Sequence, residues 1–274
     1  MDVMLIAALL GSVVGFLLAL TGAGGGILAV PLLVFGLHLG VARAAPIGLV
    51  AVGLSAAIGA ALGLRERIVR YRAAAFIGGL GMLVAPFGVA AAQRIANAPL
   101  TIAFAVVLAI TAWRTFDRTL HAPGRPPAPR AALPCVVDAA DGRLVWTRPC
   151  ARALAITGVV SGALSGLLGV GGGFVIVPAL SRYTDLPARS IVATSLAVIA
   201  LVSIGGVGAA AAHGTLDGAI ALPFSIGAVA ALLVGRHVAA HVAGVRLQQA
   251  FATVSAGVAL LLVARALGWI AMRA

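Results

Sequence analysis

The chain has 274 residues, 62% of them hydrophobic and only 9% charged, with a mean hydropathy of +1.15. A soluble domain carries about 25% charged residues because its surface must be wetted, so that class is excluded. The net charge of +12 comes from 19 Arg and no Lys against 7 acidic residues. Most of the Arg fall between apolar runs, where positive-inside retention and anionic headgroups account for them better than a nucleic-acid partner.

In chain order the apolar segments run roughly 3 to 20, 27 to 40, 46 to 64, 73 to 93 and 98 to 116, then 153 to 168, 174 to 181, 191 to 212, 218 to 240 and 247 to 270. Most approach the ~20 residues that cross ~30 Å of hydrocarbon as a helix. The short alternating segments of an outer-membrane barrel are absent. The first segment, MDVMLIAALLGSVVGFLLAL, carries Asp2 where a signal peptide has a basic region, and reads as a retained helix. The second segment of each set is too short for an ordinary span and follows a glycine cluster, which predicts a half-helix or one part of a broken helix. The expected fold is an all-α polytopic membrane protein of eight to ten transmembrane segments, with broken or re-entrant helices at the glycine-rich motifs.

One internal repeat organises the chain. At an offset of 147 residues, GFLLALTGAGGGILAVPLL at 15 to 33 aligns with GALSGLLGVGGGFVIVPAL at 162 to 180. Gly22, Gly24, Gly25, Gly26 and Pro31 fall on Gly169, Gly171, Gly172, Gly173 and Pro178. The same offset pairs Leu49 with Leu196, Gly59 with Gly206 and Gly88 with Gly235. The domain reading is a first transmembrane repeat over 1–116, a Pro/Arg-rich cytoplasmic linker over 117–152 and a second repeat over 153–274.

The linker holds six prolines, which forbid a membrane helix, and its CVVDAADGRLVW stretch suggests a small hairpin about an Asp-Gly turn. Its two cysteines, Cys135 and Cys150, cannot make a closed four-ligand zinc site without further partners, and are expected to be free and reduced. If each half crosses an odd number of times, 15 of the 19 Arg lie on one side, which by the positive-inside rule is the cytoplasm. The expectation is inverted repeats with both termini outside.

Three consecutive glycines destabilise a continuous helix by up to ~1 kcal/mol per residue relative to Ala, so each cluster predicts a break. Backbone freed at membrane depth survives only where protein or a water-filled cavity satisfies it. A helix restarting after each break, over Ile27 to Leu37 and Phe174 to Leu180, turns its unpaired N–H groups and positive dipole end toward the break, an anion-binding arrangement. Small residues also permit close helix packing, and a lone cluster would read as packing; duplication with a following proline favours the functional break. No βαβ unit supports a dinucleotide loop.

The twice-repeated GxxxGxxGxGGGxxxxP pattern resembles the TauE/SafE family of sulfite exporter-like permeases. In half two it is carried by Gly162, Gly166, Gly169, Gly171, Gly172, Gly173 and Pro178; half one has Ala19 at the second glycine. A Thr-Ser pair that follows in family members is present as Thr194 and Ser195, whereas the equivalent PIGL at 46 to 49 lacks both hydroxyls. The resemblance implies export or uptake of small sulfur-containing anions such as sulfite or organosulfonates, coupled to H+ or another ion gradient or running downhill; a secondary transporter working as an exporter in the cell inner (plasma) membrane is the expectation. The alternative is a passive channel for a small anion or neutral solute. The substrate-binding residues expected are Thr21, Gly22, Gly24, Gly25, Gly26, Ser165, Gly169, Gly171, Gly172, Gly173, Thr194 and Ser195. No cofactor, metal or nucleic-acid partner is expected; the lipid bilayer and a second copy of the chain are the macroscopic partners.

The remaining polar residues read mostly as interfacial. Arg189 beside Pro187 fits a loop anchor, and His213 sits at a helix end, where it is the candidate for proton coupling because histidine titrates near neutrality. No HExxH, intramembrane carboxylate pair or Walker loop occurs, so catalysis is not expected. The acidic residues all lie at segment edges or in the linker, which disfavours a cation pump.

Overall fold

A computed structural model of the chain describes residues 3–121, 133–136, 144–242 and 245–271. Helix α1 (Val3–Thr21) leads through a 3₁₀ segment (Gly22–Leu28) into the short α2 (Ala29–Gly36), followed by α3 (Val41–Arg65), α4 (Tyr71–Arg94) and α5 (Asn97–His121). The second half repeats this order with α6 (Arg148–Leu168), the short α7 (Gly173–Tyr183), α8 (Ala188–Ala212), α9 (Gly218–Val242) and α10 (Val245–Ala271). Shifted by 147, α3 and α8 coincide residue for residue. Even their exits match: Arg67 and Gly214, at equivalent positions, both take positive φ, 57° and 65°. After each, an amide returns to the end of the helix, Ile68 to the Gly63 carbonyl and Thr215 to that of Ala210.

Among the described residues, seven helices are long and apolar enough to span a membrane: α1, α3, α4, α6 and α8 in full, Asn97–Asp117 of α5 and Gly218–His237 of α9. Shorter apolar stretches cover Gly25–Gly36 and Ala252–Ala264. The chain is an all-α polytopic membrane protein.

Small residues decide which helices touch. With lipid as apolar as leucine, helices associate by close packing, which glycine permits. Gly11 and Gly15 of α1 lie against the backbone of Phe224 and Ala228 of α9. Gly158 and Gly162 of α6 lie in the same way against Ile77 and Gly81 of α4. These are one pair of contacts made twice, each half lending its first helix to the fourth helix of the other. At the centre α3 crosses α8: Gly59 packs under Leu196, Gly53 under Ser203 and Gly206 under Leu49. Residue numbers rise along α3 as they fall along α8, so the two helices run antiparallel.

Loop contacts sort the molecule into two ends. One gathers the 65–70 turn, the 183–190 loop and the remnant of the linker, through bonds from Ser190 to Ile68 and from the Cys135 amide to the Tyr183 carbonyl, and through Trp146 packed edge-on against Phe76, 5.3 Å between centroids. The other gathers the 39–43 stretch, Gln93 and the 214–217 turn, which face one another across a cavity.

Three expectations change. Helix α3 starts at Val41 rather than near 46, with Pro46 inside it; α6 starts at Arg148, because Thr147 caps it by accepting the Cys150 amide and Pro149 suits a first turn. The cysteines are not free: Cys135 and Cys150 form a disulfide. Their separation along the chain hides this, because only the folding back of the linker between the start of α6 and the end of α7 brings them together. The Asp-Gly turn of the expected hairpin lies outside the described residues; on its flanks the Val145 amide donates to the Val136 carbonyl at 2.9 Å and Thr147 Oγ1 to the Pro134 carbonyl at 3.0 Å.

Candidate functional site

The helical path is interrupted at both glycine clusters, in two different ways. In half two α6 stops at Leu168, and Gly169, Gly171 and Gly172 adopt left-handed φ of 72°, 71° and 72° before α7 begins at Gly173. Side chains rarely accept that conformation, and a Cβ on Gly169 or Gly172 would also overlap the backbone of Ala45 or Ser161. In half one the helix does not stop but tightens into the 3₁₀ segment.

The two interruptions meet at the α3–α8 crossing. Gly26 lies against Val52 and the carbonyl of Val170, while Gly171 lies against Val52 and Ile199. Val52 and Ile199 are themselves repeat equivalents, so each central helix offers the same position to the glycine turns. Gly25 packs on the backbone of Leu17 and Leu18, and Gly22 and Gly24 belong to the 3₁₀ segment.

From one end an opening leads as far as Gly169. A cavity of about 510 Å³, lined by Arg43, Gln93, Thr215 and Asp217 among others, opens between the 37–43 and 213–217 loops. It shares Ala42, Gln93 and Thr215 with a crevice that has space for about one water, about 10 Å³. The crevice is lined by Pro46, Leu49, Val89, Gly166, Gly169 and Gly206. Pro46 has no N–H, which leaves the Ala42 carbonyl without its helical donor, and both residues line the passage.

The hydroxyls predicted from sequence are distributed unequally. Ser165 is fully buried on α6 one turn before Gly169, and its Oγ has no hydrogen-bond partner. Thr21 Oγ1 donates to the Leu17 carbonyl and Ser195 Oγ to the Ile191 carbonyl, both at 2.7 Å, each bonding within its own helix. Thr194 Oγ1 accepts the Arg70 amide at 3.0 Å, far down α8 at the arginine-rich end. The structure therefore brings Ser165 and the glycines together and leaves Thr194 about 7.5 Å along the helix axis from Ile199. Sequence reading missed Ser55 and Ser203, buried and likewise without a partner for Oγ, on the central helices. Their signal was a lone hydroxyl inside an apolar run.

A buried hydroxyl without a partner costs ~1–3 kcal/mol, a load placed here beside backbone interruptions at the end of a narrow passage. Among the described residues no group of three or more His, Cys, Asp or Glu could hold a metal ion. The candidate site is thus built from backbone and hydroxyls within a multi-pass helical bundle. Residues 7–262 match the family described as sulfite exporter TauE/SafE, and the chain belongs to that family, which is one of membrane transporters rather than enzymes. A protein of Xylella fastidiosa named a probable membrane transporter protein is 30% identical over 224 residues, covering 80% of this chain and 78% of its own length. A Methanocaldococcus jannaschii protein of the same description is 30% identical over 204 residues, covering 72% and 68%. No solved structure matches the chain.

Proposed function

We propose that the chain is a secondary transporter that exports small sulfur-containing anions, sulfite or organosulfonates, across the plasma membrane. The observation that carries this reading is the meeting of the two glycine interruptions at Val52 and Ile199, with a passage from one end reaching Gly169 beside the unpartnered Ser165. Backbone N–H groups at the start of α7 favour a negative guest, and the Ser165 hydroxyl is a further donor. The described acidic residues Glu66, Asp117, Asp185 and Asp217 lie at helix ends or in loops, so the centre carries no fixed negative charge to repel an anion.

The exchanged contacts support reading the halves as inverted copies, as does the antiparallel crossing of α3 and α8. On that reading the site belongs at the repeat interface, where transporters of this architecture bind cargo. The arginine-rich end is assigned to the cytoplasm. Orientation is set by loop charge at insertion, before any thiol is oxidised, so the arginine asymmetry outweighs the Cys135–Cys150 disulfide, whose kind is rarer on that face. A reporter fused to the C-terminus, active only outside the cytoplasm, checks the assignment.

A passive channel fits less well, because the arginine-rich end is bridged shut while the other stands open. The deciding experiment is flux of labelled sulfite, sulfonates, thiosulfate and sulfate in proteoliposomes, with and without a pH gradient. Saturable flux of a sulfur oxyanion that responds to the gradient supports the proposal; unsaturable flux establishes a channel, and no flux of any of them removes the substrate class.

A further inference from the structure

The repeat supplies an internal control for the passage. Shifted by 147 residues, the crevice lining Pro46, Leu49, Val89 and Gly206 becomes Ala193, Leu196, Arg236 and Gly59, and the glycine it reaches, Gly169, becomes Gly22. The same fold should therefore hold a second passage, from the arginine-rich end to the first glycine cluster. At that end the segments are bridged: Ala193 packs on Gly63, and Ser190 Oγ donates to the Ile68 carbonyl at 2.7 Å.

Arg236 takes the place of Val89. It follows Gly235, which packs on Ala19 and Phe16 at the end of α1, just before the first interruption. Its guanidinium crosses to α3, one nitrogen reaching the Gly59 carbonyl at 3.4 Å and another the Glu66 carboxylate at 2.8 Å. The pair is partly open to solvent, the side chains being 29% and 46% exposed, so exchange of one anionic partner for another needs no buried charge to be stranded. A guanidinium presents a planar fork that matches oxyanions in two-point geometry. A carboxylate is such a partner, and a sulfonate or sulfite is another.

We propose that Arg236, held by Glu66 and the Gly59 carbonyl, is the anion-selecting gate residue of the route to the first glycine cluster. Glu66 is its resting counter-ion, and opening of this end transfers the guanidinium from Glu66 to the passing anion. The identity of that anion rests on the transport reading above; the gate itself does not.

The test therefore uses no transported substrate. Ala193→Cys places a thiol in the closed passage and Ala42→Cys places one in the open mouth, each in the full chain with the native disulfide kept and the parent protein as labelling background. Two small methanethiosulfonates are applied, one carrying a sulfonate and one a trimethylammonium group. Ala42→Cys should react at least tenfold faster than Ala193→Cys. Adding Glu66→Gln should speed reaction at Ala193→Cys and favour the sulfonate reagent severalfold, whereas Arg236→Gln should speed it for both reagents without preference. Arg236→Lys, which keeps the charge but loses the fork, should open the passage and retain the sulfonate preference; it serves if the Gln variant does not fold. Equal reactivity of the two thiols in the parent, or the same reagent ratio in the Glu66 and Arg236 variants, overturns the proposal. Absence of sulfite flux together with the expected ratios would remove the substrate reading and leave the gate in place.

Discussion

The two ends of this molecule are built from the same module and differ in the side chains that line them. At the open end Arg43 and Ile47 face the mouth and Val89 lines the crevice behind it; at the closed end their counterparts are Ser190, Thr194 and Arg236, and each makes a bond to the 59–70 stretch. A hydroxyl can bridge two segments at 2.7–3.0 Å where an isoleucine cannot. Identical backbone topology thus yields a cavity at one end and a seal at the other, and side-chain chemistry decides which.

The largest expected effect tests whether the interruption in half two is obligatory. Gly169→Ala adds ~1–2 kcal/mol of left-handed strain to an overlap with the backbone of Ala45, and should leave no recoverable folded protein by size-exclusion chromatography. Gly208→Ala, in α8 with nothing within 4 Å of the added carbon, should instead raise the thermal midpoint slightly, since alanine is the better helix former. A tolerated Gly169→Ala would mean that the interruption is dispensable.

Next in size is the strap over the closed end. The disulfide spans a separation of 15 residues, for which the loop-entropy argument gives about 3 kcal/mol. Serine at both positions should lower the thermal midpoint of the purified protein and raise protease sensitivity near residue 146, with the open end unaffected.

Thr194→Ile gives the closed end the residue of the open one. The Arg70 amide then loses its acceptor at a cost of about 1–3 kcal/mol, and hydrogen exchange across 63–70 should quicken while that across 210–217 stays as it was. Unchanged exchange at both would show that this bond does not hold the seal.

The smallest effect is the most telling for the site. Ser165→Ala removes a hydroxyl that is buried without a partner, so stability should hold or rise by up to about 1 kcal/mol while flux of the sulfur oxyanion falls. Ser195→Ala, whose hydroxyl serves only its own helix, should leave flux nearly untouched. A loss of stability in Ser165→Ala would make that residue a structural one.

Much of this was readable beforehand. The apolar runs and the offset of 147 residues foretold the element order, because membrane spanning demands length and hydrophobicity that composition reveals directly. Helix starts were less visible: the lead of α3 from Val41 and of α6 from Arg148 depends on local caps within polar stretches. Thr194 and Ser195 looked alike on paper, adjacent and flanked by apolar residues, yet one ties two segments together and the other bonds its own turn.

The sequence by itself determined a duplicated helical membrane protein and its family, since these follow from local composition and spacing. Only the tertiary structure decided that the two interruptions share Val52, that Cys135 meets Cys150, and that Arg236 lies where its counterpart Val89 borders an open crevice. Those facts depend on contacts between segments more than a hundred residues apart or on the path of a folded-back linker, and which distant segments meet is a property of close packing that no local pattern records.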